Sequence, residues 1–443
     1  MMRLLTCICV LTVGALFASA MSARPPSKSV DQTDELTVFL TGNDRGALKP
    51  CGCSGGQLGG LDRRAAVFKS VPASKRLIVD TGLLAEGDRE QDQIKFNIMI
   101  QAFSLLDYDL VNLTEEDIAI AQKLGLLESL GSLFNVISSQ KPADSGLPAK
   151  FTRRLSLQGR EVEVTVAAFD AKSRPIGEVE ALFAGESGRK RVNILIVNEC
   201  GGDIRASVEK MGVVDCLVCP AGSDEARVIG DPNDGQLVVS AGRYGKYVGR
   251  LQIRFDESGE KLKFKFSVVP VSEDLEQEEA QVELYKVYQQ LVKDAGLLEK
   301  HPRFVLPDGL KYTGSGSCAS CHSYEYEKWS TKAHAHAYET LAKVGSQYDP
   351  ECVTCHVVGF EYESGFVSEE KTGYLKDVGC ENCHGPGSEH IKTGGESLTS
   401  GPMSDCVNCH TPEQSADYAG NEQIYFQKII HWGEPNRSCD VKE

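Results

Sequence analysis

Four copies of one short pattern constrain this chain more than any other feature: Cys318-Ala-Ser-Cys321-His322, Cys352-Val-Thr-Cys355-His356, Cys380-Glu-Asn-Cys383-His384 and Cys406-Val-Asn-Cys409-His410. With sixteen Cys and nine His in 443 residues, chance supplies only about 0.01 copies. Two thiols three positions apart can each add to one vinyl group of a haem, and the residue that follows turns its imidazole to the iron. Structural zinc uses paired cysteines too, but sets no requirement for a His directly after every second Cys. The pattern predicts four covalently bound c-type haems with His322, His356, His384 and His410 as proximal ligands.

All four motifs fall in residues 311–443, about one per 33 residues, too few for each haem to have an apolar pocket of its own. The expected region is mostly helical and packed around its haems. It carries ten Lys plus Arg against twenty Asp plus Glu, so most of the chain's net charge of -16 lies here. That balance excludes nucleic acid as a main ligand and points to redox partner proteins with a basic docking face. Five histidines remain for the far side of the irons: His301, His334, His336, His390 and His431. A second imidazole closes an iron for electron carriage, and a missing one leaves it open to a small molecule. His336 lies two residues from His334, about 200° round a helix axis, so one of the two faces a given haem.

The N-terminus reads as a secretory signal peptide over residues 1–23. It has one cation at Arg3, an apolar stretch from Leu4 to Phe17, and small residues Ala18, Ala20 and Ala23 before the expected cleavage. Export fits covalent haem attachment, and the expected location is periplasmic or otherwise extracytoplasmic. After cleavage no apolar run is long enough to span a bilayer.

Several strings in the C-terminal region resemble the tetrahaem cytochrome c five-fifty-four family, which is linked to hydroxylamine oxidation. They are Trp329-Ser-Thr-Lys-Ala-His334-Ala-His336-Ala-Tyr338, Asp377-Val-Gly-Cys380-Glu-Asn-Cys383-His384-Gly-Pro-Gly-Ser-Glu-His390, and Phe426 through His431. The resemblance implies three haems with two histidines each and one five-coordinate haem, with His334, His390 and His431 as distal ligands.

Residues 34–271 alternate apolar strand runs (LTVFLT, RLIVDTG, DLVNLT, NVISS, EVEVTVAAF, VNILIV, VDCLVCP) with helical stretches at 91–105 and 116–130, followed by two β-rich segments. This predicts a layered α/β domain. The order, with Gly42-Asn43-Asp44, Gly59-Gly60-Leu61-Asp62-Arg63-Arg64-Ala65 and Ala241-Gly242-Arg243-Tyr244-Gly245, resembles the metallophosphoesterase domain of periplasmic 5'-nucleotidases. That family holds two metal ions through Asp and His residues at strand ends, yet no His lies between residues 1 and 300. Asp44 is retained; the other positions read Gly82-Leu83, Glu115-Glu116, Cys200 and Ala221 to Ser223. The expectation is a metallophosphatase-like sandwich that lacks its metal ligands. Cys51, Cys53, Cys200, Cys216 and Cys219 lie near strand ends and form either disulfides or a thiolate-bound metal or redox site.

Between the domains, residues 272–310 read as a helical linker whose apolar positions (Val282, Leu284, Tyr285, Val287, Tyr288, Leu291) predict one helix of about seven turns. The leading function is single-electron transfer between periplasmic partners. The alternatives are a haem oxidoreductase acting on a small nitrogen species and a partner- or ligand-binding module coupled to a cytochrome.

Overall fold

A computed structural model describes residues 35–50, 55–140, 145–184, 190–230, 236–399, 406–412, 414–415 and 417–433. The expected signal peptide, Cys51 and Cys53 lie outside them. In chain order the first elements are β1 (Leu36–Thr41), α1 (Leu61–Lys69), β2 (Arg76–Asp80), α2 (Glu90–Leu105), β3 (Leu110–Leu113), α3 (Glu115–Lys123) and β4 (Asn135–Ser138). There follow β5 (Lys150–Leu157), β6 (Arg160–Phe169), β7 (Lys190–Val197), α4 (Gly202–Met211) and β8 (Cys216–Cys219). The last are β9 (Arg227–Val228), β10 (Leu237–Ser240), β11 (Tyr247–Phe255), β12 (Leu262–Pro270) and α5 (Glu279–Asp294).

The strands make two six-stranded mixed sheets, ordered β12-β11-β1-β2-β3-β4 and β5-β6-β7-β8-β10-β9. The period-two exposure of side chains along a strand explains the layering. Leu36, Val38 and Leu40 of β1 pack with Val162, Val164 and Val166 of β6 between the sheets. Phe39 and Ile78 face the other way, onto Phe68 of α1, Phe96 and Phe103 of α2 and Ile118 of α3. The second sheet turns Phe169, Val197 and Leu217 to Val208 of α4. The result is the expected α/β sandwich, helix on sheet on sheet on helix. Strand β5 is missing from the apolar runs because, of its residues, Leu155 and Leu157 alone are buried; it is recruited by antiparallel pairing with β6.

The expected seven-turn helix is shorter. Helix α5 ends at Asp294, Gly296 takes a left-handed φ of 62°, and a short helix Leu297–Lys300 follows. Glycine tolerates that conformation, and the chain turns there. Leu284, Tyr288 and Val292 bury into the core beneath α1 and α2, so α5 belongs to the α/β sandwich more than to a linker.

The C-terminal region is built of short helices, including Ser323–Ser330, Ala337–Val344, Pro350–Val353, Cys380–His384 and Glu422–Ile429. Its apolar core is small and sits beside the second motif: Leu341, Val353, Val357, Phe360, Phe366 and Leu375.

Candidate functional site

The motifs are wound as tight helical turns. The His322 amide donates to the Cys318 carbonyl at 2.9 Å, and the His410 amide to the Cys406 carbonyl at 2.8 Å. Cys380–His384 is itself a helical turn, and Cys352 lies in the turn Pro350–Val353. One helical turn brings residues three and four apart onto one face, which is the placement that two thioether bonds and one axial ligand need.

The histidines then pair across the fold. His322 faces His390 with ring centres 6.0 Å apart; His334 faces His410, and His384 faces His431, both at 6.3 Å. One metal ion between two imidazoles needs about 6 Å between ring centres, because each metal–nitrogen bond is about 2 Å and each nitrogen lies about 1 Å from its ring centre. Every pair joins one motif histidine to one of the three expected distal residues. The ring nitrogens are sorted accordingly. Nδ1 lies 2.7 Å from the Ser397 carbonyl in His390, 2.9 Å from the Ile429 carbonyl in His431 and 3.1 Å from Ser415 Oγ in His410. A proton held on Nδ1 leaves Nε2 as the metal ligand. Burial depresses the imidazoles of His334, His356, His384 and His410 below the usual value and favours the neutral ligating form. The donor set fits haem iron.

His356 stands apart. Its Nδ1 lies 2.6 Å from the Ala337 carbonyl, as a proximal ligand's should, but among the described residues no histidine ring pairs with it. His301 stacks on Phe360 at 4.4 Å, and His336 uses its Nε2 on the Ser330 carbonyl at 3.0 Å. All nine histidines are thereby accounted for. Thiols of different motifs also meet, Cys318 with Cys380 and Cys355 with Cys409.

Residues between the motif positions tie the region together, and their roles are invisible in the motif spacing. Buried Glu381 accepts from the Gly314 amide at 2.7 Å and the Gly387 amide at 2.8 Å, and also from the Thr313 amide. Asn382 donates to the Val357 carbonyl, next to His356, at 2.9 Å. Asp377 accepts from the Tyr338 amide at 2.9 Å and so caps the helix whose first carbonyl holds His356.

In the α/β domain, Asp44 follows β1 as expected, but a guanidinium occupies it. Arg64 donates through Nη2 to Asp44 Oδ1 at 2.7 Å and through Nη1 to Oδ2 at 3.1 Å, and Nη1 also reaches Tyr108 Oη at 2.9 Å. Asp80, on the last residue of β2, is buried beside them, with Thr41 Oγ1 2.7 Å from its Oδ2. Gly245, at a φ of 60°, closes over the pair, and any Cβ there would collide with Arg64. Among the described residues no group of three or more His, Cys, Asp and Glu is arranged to hold a metal ion. Of the flagged cysteines, Cys200 and Cys219 form a disulfide, and Cys216 is a buried free thiol in the core between the sheets.

Residues 317–385 match the family model described as cytochrome c554 and c-prime. Cytochrome c-554 of Nitrosomonas europaea is 32% identical over 149 residues, covering 26% of this chain and 63% of that protein. The chain thus spans less than two thirds of the relative's length. Among solved structures, it is similar to the calcineurin-like phosphoesterase YfkN of Bacillus subtilis, with 15% identity and a TM-score of 0.43 over 58% of this chain and 97% of that one. It is also similar to a putative 5'-nucleotidase of Staphylococcus aureus, with 12% identity and a TM-score of 0.47 over 70% and 66% of the two chains.

Proposed function

We propose that this chain, which carries a C-terminal cytochrome c554 domain, is an exported four-haem protein that passes single electrons between periplasmic partners. The observation that carries the reading is the set of three histidine pairs, each with a motif histidine facing a non-motif one at 6.0 to 6.3 Å. Bound haem supplies a one-electron couple, and two imidazoles per iron favour electron transfer over ligand chemistry. The protein's part is to fix the rings. His390 and His431 are oriented through Nδ1 by the Ser397 and Ile429 carbonyls, and His356 by that of Ala337. The acidic balance of residues 311–443 supports a basic partner face. No helix among the described residues is long and apolar enough to cross a membrane.

The α/β domain serves as a non-catalytic scaffold. Its Asp44 is neutralised by Arg64, and a buried guanidinium there opposes a divalent cation by charge and by volume.

A second reading, a haem oxidoreductase acting on a small nitrogen species, is favoured by one feature, the unpaired ring of His356. Intact mass and a carbon monoxide difference spectrum of the reduced protein test both. Four haems of which about one reacts supports His356 as the ligand of an open iron. Four unreactive haems would leave an electron carrier alone, and fewer than four would overturn the haem count.

A further inference from the structure

We infer that Tyr288 and Gln91 of the α/β domain set the charge environment of the haem at Cys352 and Cys355, acting through Asp349. This rests on the reading above that His356 holds the one iron lacking a second histidine.

Asp349 lies three residues before Cys352 and is buried. Its Oδ1 accepts from Gln91 Nε2 at 2.8 Å and from the Glu351 amide at 2.9 Å, and its Oδ2 accepts from Tyr288 Oη at 2.8 Å. Gln91 Nε2 also reaches Tyr288 Oη at 3.0 Å. Three donors and no acceptor around one carboxyl is the arrangement that suits the anion. The Asp349 carbonyl accepts from the Cys352 and Val353 amides at 3.1 and 2.9 Å, so this residue caps the turn that carries the attachment thiol.

The grip comes from the other domain. Gln91 opens α2, and Tyr288 lies on the buried face of α5. The next residue, Gln289, donates to the Val344 carbonyl at 2.7 Å and to Ser346 Oγ at 3.0 Å. Those groups end the helix Ala337–Val344, whose first carbonyl orients His356. Lys95 of α2 pairs with Glu351 at 2.5 Å. The α/β domain therefore holds both segments that frame the second motif.

A carboxylate beside a haem in a low-dielectric site favours ferric iron and lowers its potential, and donors to that carboxylate spread its charge and oppose the shift. Tyr288 and Gln91 are positioning residues in this scheme. Removing the charge and removing a donor must then act in opposite directions, which mere loosening of the turn cannot produce.

The test is a redox titration of the full chain loaded with haem, followed at the high-spin band that carbon monoxide abolishes. Asp349→Asn keeps a capping side chain and should raise that haem's oxidised-to-reduced midpoint by a tenfold ratio, about 59 mV for one electron. Tyr288→Phe should lower it by less, and the other haems should not move. Glu351→Gln, at a more exposed position, should shift the potential upward and decides the matter together with Tyr288→Phe if Asp349→Asn fails to accumulate. Unmoved potentials in variants of full haem content, or shifts of the same sign in Asp349→Asn and Tyr288→Phe, would overturn the inference alone. A wild-type protein with no carbon monoxide-reactive haem would overturn the underlying reading and the inference with it.

Discussion

Arg64 Nη2 donates to Asp44 Oδ1 at 2.7 Å, with both side chains sealed from solvent at the ends of the first strands. Desolvating two charges is tolerable because they meet in a two-pronged contact and Tyr108 satisfies part of the remaining guanidinium. Arg64→Met strips the cation and leaves the Asp44 carboxylate buried alone. A loss of about 3–5 kcal/mol is expected. Urea unfolding followed by far-ultraviolet circular dichroism measures it, and a loss within experimental error would show that water or another cation replaces the guanidinium.

Asp80, joined to the Arg64–Asp44 pair through Thr41 and Tyr108, gives a pH dependence. Burial, then the neighbouring Asp44 charge, pushes its carboxyl up to about 8. An unfolded Asp titrates near 3.9, so between roughly pH 4 and pH 8 the folded chain holds a proton that the unfolded chain has released. Stability from this group is complete at the acid end and is lost as pH rises through the folded value, with a slope of at most about 1.4 kcal/mol per pH unit. Asp80→Asn should flatten the fall in unfolding free energy between about pH 5 and 8 relative to the native chain. Parallel curves for the two proteins would show that Asp80 is ionised throughout.

His334 and His336 differ by two positions and by everything that matters for ligation. His334 faces His410, whereas His336 is exposed and bonded to the Ser330 carbonyl. Removing a distal imidazole opens its iron. His334→Ala is expected to raise the carbon monoxide-reactive share from about one haem in four to two, and His336→Ala to leave it alone. The reverse result would exchange their roles.

Glu381 has no thiol or imidazole to advertise it, yet its carboxylate collects the Thr313, Gly314 and Gly387 amides inside the fold. Glu381→Ala orphans those donors, at a cost of about 2–4 kcal/mol, since bonds to a charged acceptor exceed neutral ones. Unfolding midpoint and haem content should both fall, and Glu381→Gln, which keeps an acceptor, should recover part of each. Equal midpoints for the Ala variant and the native chain would assign those amides to water.

Much of the architecture can be read locally. LTVFLT, RLIVD and VNILIV become buried strands because alternate side chains of an extended run face opposite layers, and both faces here are covered. Strand β5 escapes such reading because its alternation is mostly polar and its partner β6 decides its state. The seven-turn helix expected within residues 272–310 is shorter in the fold because apolar positions at helical spacing say nothing of the left-handed turn at Gly296.

What the amino-acid order determines by itself is the chemistry that fits within one helical turn: two thiols and an imidazole on one face, four times over, and strands whose apolar period matches a two-layered core. Which histidine meets which motif, that Arg64 enters the place beside Asp44, and that Tyr288 reaches Asp349 were decided only by tertiary structure. Spacing along the chain fixes directions over a few residues, through backbone geometry. Contacts between residues tens or hundreds of positions apart depend on how whole layers pack, and no local period encodes that.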